Sequence, residues 1–294
     1  MTIDQQFGGN WTEDKLERVR KYLCAYATIM KKNPYFKFAY IDAFAGTGYR
    51  ELEKENIDQK YLYPELVDED MEDYADGSAR IALQVEPEFS KYIFIEKTKN
   101  RFDKLESLGK DFPDKANKII LIHADANSYI ADMCTNYKWN KHRAVLFLDP
   151  FGMQVTWDTM KAIAKTKAID LWYLFPLGVG VNRLLKKEIK EIPEAWGKKL
   201  DDIFGTPDWR DFFYRTEKVK TLFGEEKNVI KDADFTKIID FFVGRLKTIF
   251  AGVAENPKLL RNSKNNPLYL LCFASGNPKG AKTAIKIAQD ILGK

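Results

Sequence analysis

The chain has 294 residues, of which 45% are hydrophobic and 31% charged, and its formal net charge is +4. This composition predicts one large folded domain or slightly more and excludes an intrinsically disordered chain. No apolar run is long enough to span a bilayer, and the polar N-terminus lacks a signal-peptide pattern, so we expect a cytoplasmic protein that does not contact membranes. Three scattered cysteines and two histidines predict reduced thiols and do not suit a structural zinc site.

The charge is unevenly distributed along the chain. Residues 50–76 contain eleven acidic and three basic side chains, which leaves 44 basic and 32 acidic side chains elsewhere. A basic body attracts nucleic acid, although a lysine-rich solvated surface has the same composition. We interpret the acidic segment as an insertion that is either a mobile lid or a solvated loop without a role.

The N-terminal region, residues 1–36, predicts a helical cap. Thr12 is a suitable N-cap, and Glu13 follows in the first turn, where the helix dipole favours acids. Apolar residues then recur at helical spacing until Asn33-Pro34 ends the pattern. Such a helix either covers a ligand or packs on the core without a further role.

The first predicted strand is an apolar run that ends in Asp42 and is followed by a glycine loop. A buried parallel strand is nearly continuously apolar, and glycines after it let backbone N–H groups approach a ligand closely. The third glycine of the dinucleotide fingerprint is absent, because Glu51 stands in its place. The residues predicted to line a pocket here are Asp42, Phe44, Ala45, Gly46, Thr47 and Gly48.

Three further apolar runs also end in acids. Glu96 ends residues 91–96, Asp125 follows residues 119–123, and Asp149 follows residues 144–148. Ligands in open α/β sheets bind at the carboxyl ends of the strands. Four acids at four successive strand ends therefore predict a nucleotide-type cofactor site, although such an acid can also simply cap the next helix.

The C-terminal part predicts how the sheet is completed. Residues 169–175 form a fifth strand, and residues 177–233 form a helical, aromatic insertion that either grips a substrate or has its own core. Residues 234–294 contain an amphipathic helix, two strands at 258–262 and 268–274 that form a hairpin, and a last helix. The expected fold is α/β, a Rossmann-like methyltransferase fold whose cofactor-binding core spans residues 37–176 and whose mostly parallel sheet ends in an antiparallel hairpin.

This fold predicts S-adenosylmethionine as the cofactor. Asp42 is expected near the methionine ammonium, with the backbone of the glycine loop near the carboxylate. Glu96 is expected to accept hydrogen bonds from the ribose hydroxyls. Asp125 would accept from the adenine amine, and Ala126 would leave room for the ring.

The tip of the fourth strand provides the predicted catalytic residues, Asp149, Pro150 and Phe151. It resembles the Asp-Pro-Pro-aromatic motif of amino-group DNA methyltransferases, in which the acid accepts from the target amine and the aromatic ring stacks on a flipped base. This chain has a single proline and its aromatic residue comes one position earlier. Base methylation is therefore a hypothesis.

Several longer motifs stand out, namely Phe7-Gly8-Gly9 with Trp11-Thr12, residues 42–48, residues 148–155, residues 170–176, Phe204-Gly205-Thr206 and residues 277–280. Together they resemble the three-Cys-motif partner proteins (TcmP). The resemblance covers nearly the whole chain and implies a partner with a three-cysteine motif suggestive of an iron–sulfur cluster, but it implies no settled activity.

Three functions follow from the sequence. The first is an S-adenosylmethionine-dependent methyltransferase that acts on nucleic acid with its three-Cys-motif partner. The second is a non-catalytic, methyltransferase-like scaffold or regulator of that partner. The third is a metal-dependent nuclease that uses the strand-end acids, for which no compact acid and lysine signature is present.

Overall fold

A computed structural model describes residues 10–47, 77–221 and 224–294. The predictions for Phe7-Gly8-Gly9, for Gly48 and for the acidic segment 50–76 concern residues outside these ranges. The helices are α1 (Asn10–Lys31), α2 (Ser78–Leu83), α3 (Lys99–Leu105), α4 (Leu108–Asp111), α5 (Ala126–Asn136), α6 (Trp157–Lys165), α7 (Asn182–Leu184), α8 (Glu194–Phe204), α9 (Trp209–Phe213), α10 (Phe235–Lys247) and α11 (Ala281–Leu292). The strands are β1 (Lys37–Asp42), β2 (Lys91–Glu96), β3 (Ile119–His123), β4 (His142–Leu148), β5 (Ile169–Phe175), β6 (Tyr214–Thr221), β7 (Gly224–Lys231), β8 (Gly252–Val253), β9 (Lys258–Arg261) and β10 (Pro267–Ser275).

The main sheet has the strand order β3-β2-β1-β4-β5-β10-β8, and β9 also pairs with β10. Strands β1 to β5 are parallel, whereas β10 runs antiparallel to β5, β8 and β9. All seven residues of β5 are buried, as expected for a strand that is covered on both faces. The predicted parallel sheet and closing antiparallel hairpin are confirmed.

Helices cover both faces of this sheet. Because side chains alternate along a strand, Trp172 and Tyr173 point to opposite layers. Trp172 meets Tyr22 of α1 with ring centroids 5.4 Å apart, and Tyr173 meets Phe242 of α10 at 5.8 Å. The first layer contains α1, α2 and α11, and the second contains α5, α6 and α10. None of the helices in the described ranges is both long and apolar enough to cross a membrane.

The start of α1 differs from the prediction. The helix already includes Asn10 and Trp11, so Thr12 is a helical residue and not the N-cap. Trp11 stacks on Tyr269 of β10 with ring centroids 5.1 Å apart. This contact buries the first turn against the sheet and extends the helix beyond the local capping signal, because burial outweighs a cap that is worth about 1 kcal/mol.

The insertion at 177–233 also differs from the prediction. It contains helices, as expected, but also the antiparallel hairpin β6–β7. Residues 215–218 of β6 are all exposed. The strand therefore carries little of the apolar and polar alternation from which half-buried strands are predicted.

Candidate functional site

The four strand-end acids lie along one edge of the sheet, which we call the carboxyl edge. Asp42 stands opposite Phe94 and Phe147, so Glu96 and Asp149 lie two positions beyond it on the neighbouring strands. Asp125 follows β3, the next strand outward. The structure thus brings the predicted acids together in the spatial order Asp125, Glu96, Asp42, Asp149.

Asp42 is completely buried at the end of β1. Its carboxylate accepts hydrogen bonds from the Tyr40 hydroxyl at 3.2 Å, from the Phe44 backbone N–H at 3.3 Å and from the Ser78 side chain. Burial raises the pKa of Asp42 to about 6, and the nearby charge of Asp149 acts in the same direction while the hydrogen bonds oppose it. Above that pH a buried negative charge is present, and an adjacent ligand cation would stabilise it.

The turn after Asp42 leaves open space beside its backbone. Gly46 has φ +63°, and a Cβ built on it would meet no atom within 4 Å. The N–H of Ala43 donates to Phe147 O and that of Ala45 to Ile95 O, both at 3.1 Å. The amide of Ala45, predicted to face a ligand, therefore fastens the turn to β2, and the open space lies beside Gly46.

Glu96 and Asp125 have local partners of their own. Glu96 is buried, and its Oε1 accepts from the Thr98 backbone N–H at 2.7 Å. Asp125 is the N-cap of α5, because its Oδ1 accepts from the Ser128 N–H at 3.2 Å. Its Oδ2 pairs with the exposed Lys97 ammonium at 3.1 Å. Asp125 therefore caps the next helix, which was the alternative to cofactor binding that the sequence left open. Ala126 is the first residue of α5 and is buried.

Asp149 forms an ion pair that the sequence reasoning missed. The Lys15 Nζ of α1 lies 2.5 Å from Asp149 Oδ2, and the exposed fractions of the two side chains are 3% and 23%. Lys15 Nζ also lies 5.3 Å from the centre of the Trp11 ring. A signal was available, because Lys15 occupies the buried helical face that includes Trp11 and Val19. A lysine in such a stripe requires a partner.

Phe151 also has a contact that the sequence did not reveal. The Arg101 guanidinium of α3 lies 4.7 Å from the centre of the Phe151 ring, and Pro150 beside it is buried. The loop that follows is fixed by Asn127, whose Nδ2 donates to Gln154 O at 2.9 Å. Arg101 therefore covers the ring that was expected to stack on a flipped base.

A cavity of about 710 Å³ lies between α1, α2 and β9, with Trp11, Glu17, Ile81 and Leu260 among its lining residues. None of the four strand-end acids lines it, so we place the candidate site at the carboxyl edge and not in this groove. Within the described ranges, no three His, Cys, Asp or Glu side chains are arranged to hold a metal ion.

No protein-family model matches this chain, and no curated protein matches it. Several solved structures are similar. A DUF519-family protein from Legionella pneumophila is 14% identical, with 97% of this chain and 92% of that one covered and a TM-score of 0.49. Spermidine synthase from Thermotoga maritima is 12% identical, with coverages of 94% and 61% and a TM-score of 0.41. A methyltransferase from Geobacter sulfurreducens is 12% identical, with coverages of 72% and 78% and a TM-score of 0.31.

These likenesses are distant, and the fold is assigned from the topology itself. The order β3-β2-β1-β4-β5 is that of the first five strands of a Rossmann-like sheet, and β10 lies antiparallel beside β5. This combination is the methyltransferase-like α/β fold.

Proposed function

We propose that the protein is an S-adenosylmethionine-dependent methyltransferase whose cofactor binds along the carboxyl edge. The observation that carries this proposal is the buried acid Asp42 beside the open turn at Gly46, with Glu96 at the next strand end. The cofactor supplies a methyl group on a positively charged sulfur, so the chain needs mainly to bind and orient the reactants.

Each residue then has a defined task. Asp42, whose pKa is about 6, is ionised at neutral pH and holds a ligand ammonium. Glu96 accepts from ribose hydroxyls, and the backbone at Gly46 admits a carboxylate without a steric clash. Asp125 accepts from the adenine amine only if the exposed Lys97 gives way, while Ala126 leaves space for the ring.

Nucleic acid is the acceptor class that we propose. The residues outside segment 50–76 carry 44 basic and 32 acidic side chains, and this excess attracts a polyanion. Asp149 is the group that would accept a hydrogen bond from an acceptor amine. It already pairs with Lys15 at 2.5 Å, so an acceptor must displace or join this ammonium.

The resemblance to the three-Cys-motif partner proteins supports a further part of the proposal. We propose that the methyltransferase works together with a protein that carries the three-cysteine motif and an iron–sulfur cluster. Co-expression of the two chains followed by size-exclusion chromatography tests this part. Separate elution of both chains would contradict it.

Calorimetric titration with S-adenosylmethionine tests the cofactor assignment. Wild-type protein is expected to bind, and Glu96→Ala is expected to weaken binding about tenfold or more, because a hydrogen bond to a charged group contributes about 1.5–3 kcal/mol. Glu106→Ala, at an exposed glutamate just after α3, is the matched control and should bind as wild type does. No heat at millimolar ligand, or equal binding by Glu96→Ala, would contradict the assignment.

A second candidate is a methyltransferase-like scaffold without catalysis. The ion pair Lys15–Asp149 and the stack of Arg101 on Phe151 favour it, because both occupy groups that would face an acceptor. Cofactor binding without methyl transfer to DNA, RNA or the partner protein would support the scaffold. No observation favours the metal-dependent nuclease.

A further inference from the structure

The opposite end of the sheet has a different chemistry. Lys37 lies beside His142, Ala144 beside Ile169, and Ser275 beside Asp170, so four chain segments meet side by side along this end. We call them the amino edge, because β1, β4 and β5 begin there; β2 and β3 begin at the same end but are not included. The amino edge comprises residues 31–37, 137–143, 165–168 and 276–282.

The amino edge concentrates positive charge. It contains ten basic residues and no acidic residue, whereas the remainder of the chain contains 37 basic and 43 acidic residues. Of the flanking acids, Asp170 is buried, and Glu88, whose carboxylate is attracted by Lys31, pairs with Lys118 outside the amino edge. This concentration on one edge is what a polyanion would recognise. The ten residues, all exposed except the half-buried Arg143, are Lys31, Lys32, Lys37, Lys138, Lys141, Arg143, Lys165, Lys167, Lys279 and Lys282.

Exposed aromatic rings are interleaved with these charges. Tyr35 is 59% exposed and Tyr137 is 49% exposed, so both rings are accessible to a ligand. Lys141 Nζ lies 5.7 Å from the centre of the Tyr35 ring. Tyr137 meets the Trp139 ring with centroids 5.3 Å apart. Rings beside cations suit a ligand that carries both flat bases and negative charge.

The two aromatic segments are held together by Arg143. Its guanidinium lies 3.9 Å from the centre of the Phe36 ring and donates to Trp139 O at 3.1 Å and to His142 O at 2.7 Å. Tyr35 in turn packs edge-on against Phe36 at 4.8 Å. The exposed rings therefore sit on a fixed support, which lowers the entropic cost of binding.

We propose that the amino edge binds single-stranded nucleic acid, with its lysines on the phosphates and with Tyr35 and Tyr137 stacked on bases. A duplex would present phosphates but no free base faces to the rings. The amino edge is about 20 Å from the carboxyl edge, the length of a six- or seven-residue strand. This binding is therefore separate from the proposed cofactor site and does not require it.

Fluorescence anisotropy with labelled oligothymidylate, without cofactor, tests this proposal. Lys138→Glu combined with Lys141→Glu is expected to weaken binding about tenfold or more at low salt, and to reduce the slope of log affinity against log salt by about 1.4. Tyr137→Ala is expected to weaken binding about fivefold or more, because stacking contributes about 1–3 kcal/mol per base. A duplex of equal length should bind more weakly than the single strand.

Lys110→Glu combined with Lys198→Glu is the matched control, because both lysines are exposed and lie outside the amino edge. Unchanged binding by this pair, with loss in the amino-edge variants and an unchanged melting temperature, would support the proposal. Equal loss of binding in the amino-edge pair and the control pair would overturn it. So would a duplex that binds as tightly as the single strand, together with a Tyr137→Ala variant that binds as tightly as the wild type. The proposal would also be overturned if the amino-edge variants lost binding to phosphatidylserine vesicles but still bound the oligonucleotide as the wild type does. Glu96→Ala should bind the oligonucleotide with wild-type affinity, so a failure of the cofactor proposal can be told apart from a failure of this one.

Discussion

The carboxyl edge and the amino edge of the sheet place their charges in opposite ways. At the carboxyl edge Asp42 and Glu96 are buried, and Asp149 is paired with the buried Lys15. At the amino edge Lys138 and Lys141 are exposed. A buried charge requires partners, since its desolvation costs several kcal/mol, whereas an exposed lysine costs almost nothing. Substitutions of the buried groups at the carboxyl edge should therefore change both folding and binding, and those of the exposed lysines at the amino edge should change binding alone.

The largest expected effect on stability concerns Asp149. Asp149→Asn removes the carboxylate from the ammonium of Lys15, which is only 3% exposed. We expect a loss of about 2–4 kcal/mol in the free energy of unfolding. Lys15→Met should cost less, because Asp149 is 23% exposed and water can solvate it. Urea unfolding of both variants and of the double variant measures the coupling between the two side chains.

The ion pair of Lys97 with Asp125 is the matched control at the same edge. The exposed fractions of its side chains are 74% and 39%, so Lys97→Met should change stability by less than about 0.5 kcal/mol. If Asp149→Asn were as mild as this control, burial would not be what distinguishes the two ion pairs.

The next effect is the pH dependence that Asp42 gives to folding. Burial raises its pKa from 3.8 to about 6, so its contribution to stability is complete below pH 4 and is lost as the pH rises through 6. The full loss is at most about 3 kcal/mol, at 1.36 kcal/mol for each pKa unit. Asp42→Asn should remove this fall. The unfolding free energy of the wild type minus that of the variant, measured from pH 4 to pH 7, should then decrease as the pH rises. A constant difference would contradict the raised pKa of Asp42.

The contrast also explains which features the sequence predicted. Continuous apolar runs predicted the central strands, and the acids after them predicted that Asp42, Glu96, Asp125 and Asp149 lie at the strand ends, because strand ends depend on local pattern. Their spatial order along the edge came from the sheet topology. Lys15–Asp149 and Arg101–Phe151 join residues from different elements, so no local spacing encodes them. The hairpin β6–β7 was missed because residues 215–218 are exposed and polar, and hydropathy reports burial more directly than strand geometry.

A buried acid beside the amino edge provides a sharper comparison. Asp170 accepts from the Tyr22 hydroxyl at 2.7 Å and from the Ser275 hydroxyl at 2.6 Å, and burial raises its pKa to about 6. Tyr22→Phe removes one donor, so we expect a loss of about 1–2 kcal/mol at neutral pH and a further rise in the pKa of Asp170. Tyr26→Phe is the control, since its hydroxyl does not donate to Asp170. A flat pH dependence of the Tyr22→Phe effect would show that only ring packing had changed.

The smallest effect on stability is expected at the amino edge itself. Lys138 and Lys141 are exposed and belong to a set of segments without an acidic residue, so reversing both charges lowers the local excess of positive charge and breaks no buried contact. The free energy of unfolding should change by less than about 0.5 kcal/mol, with a slight gain at low salt that disappears as salt screens the charges. Thermal unfolding at two salt concentrations measures this. A loss above 1 kcal/mol would mean that these lysines help to hold the segments that Arg143 joins. Substitutions at the amino edge would then change folding as well as binding, as they do at the carboxyl edge.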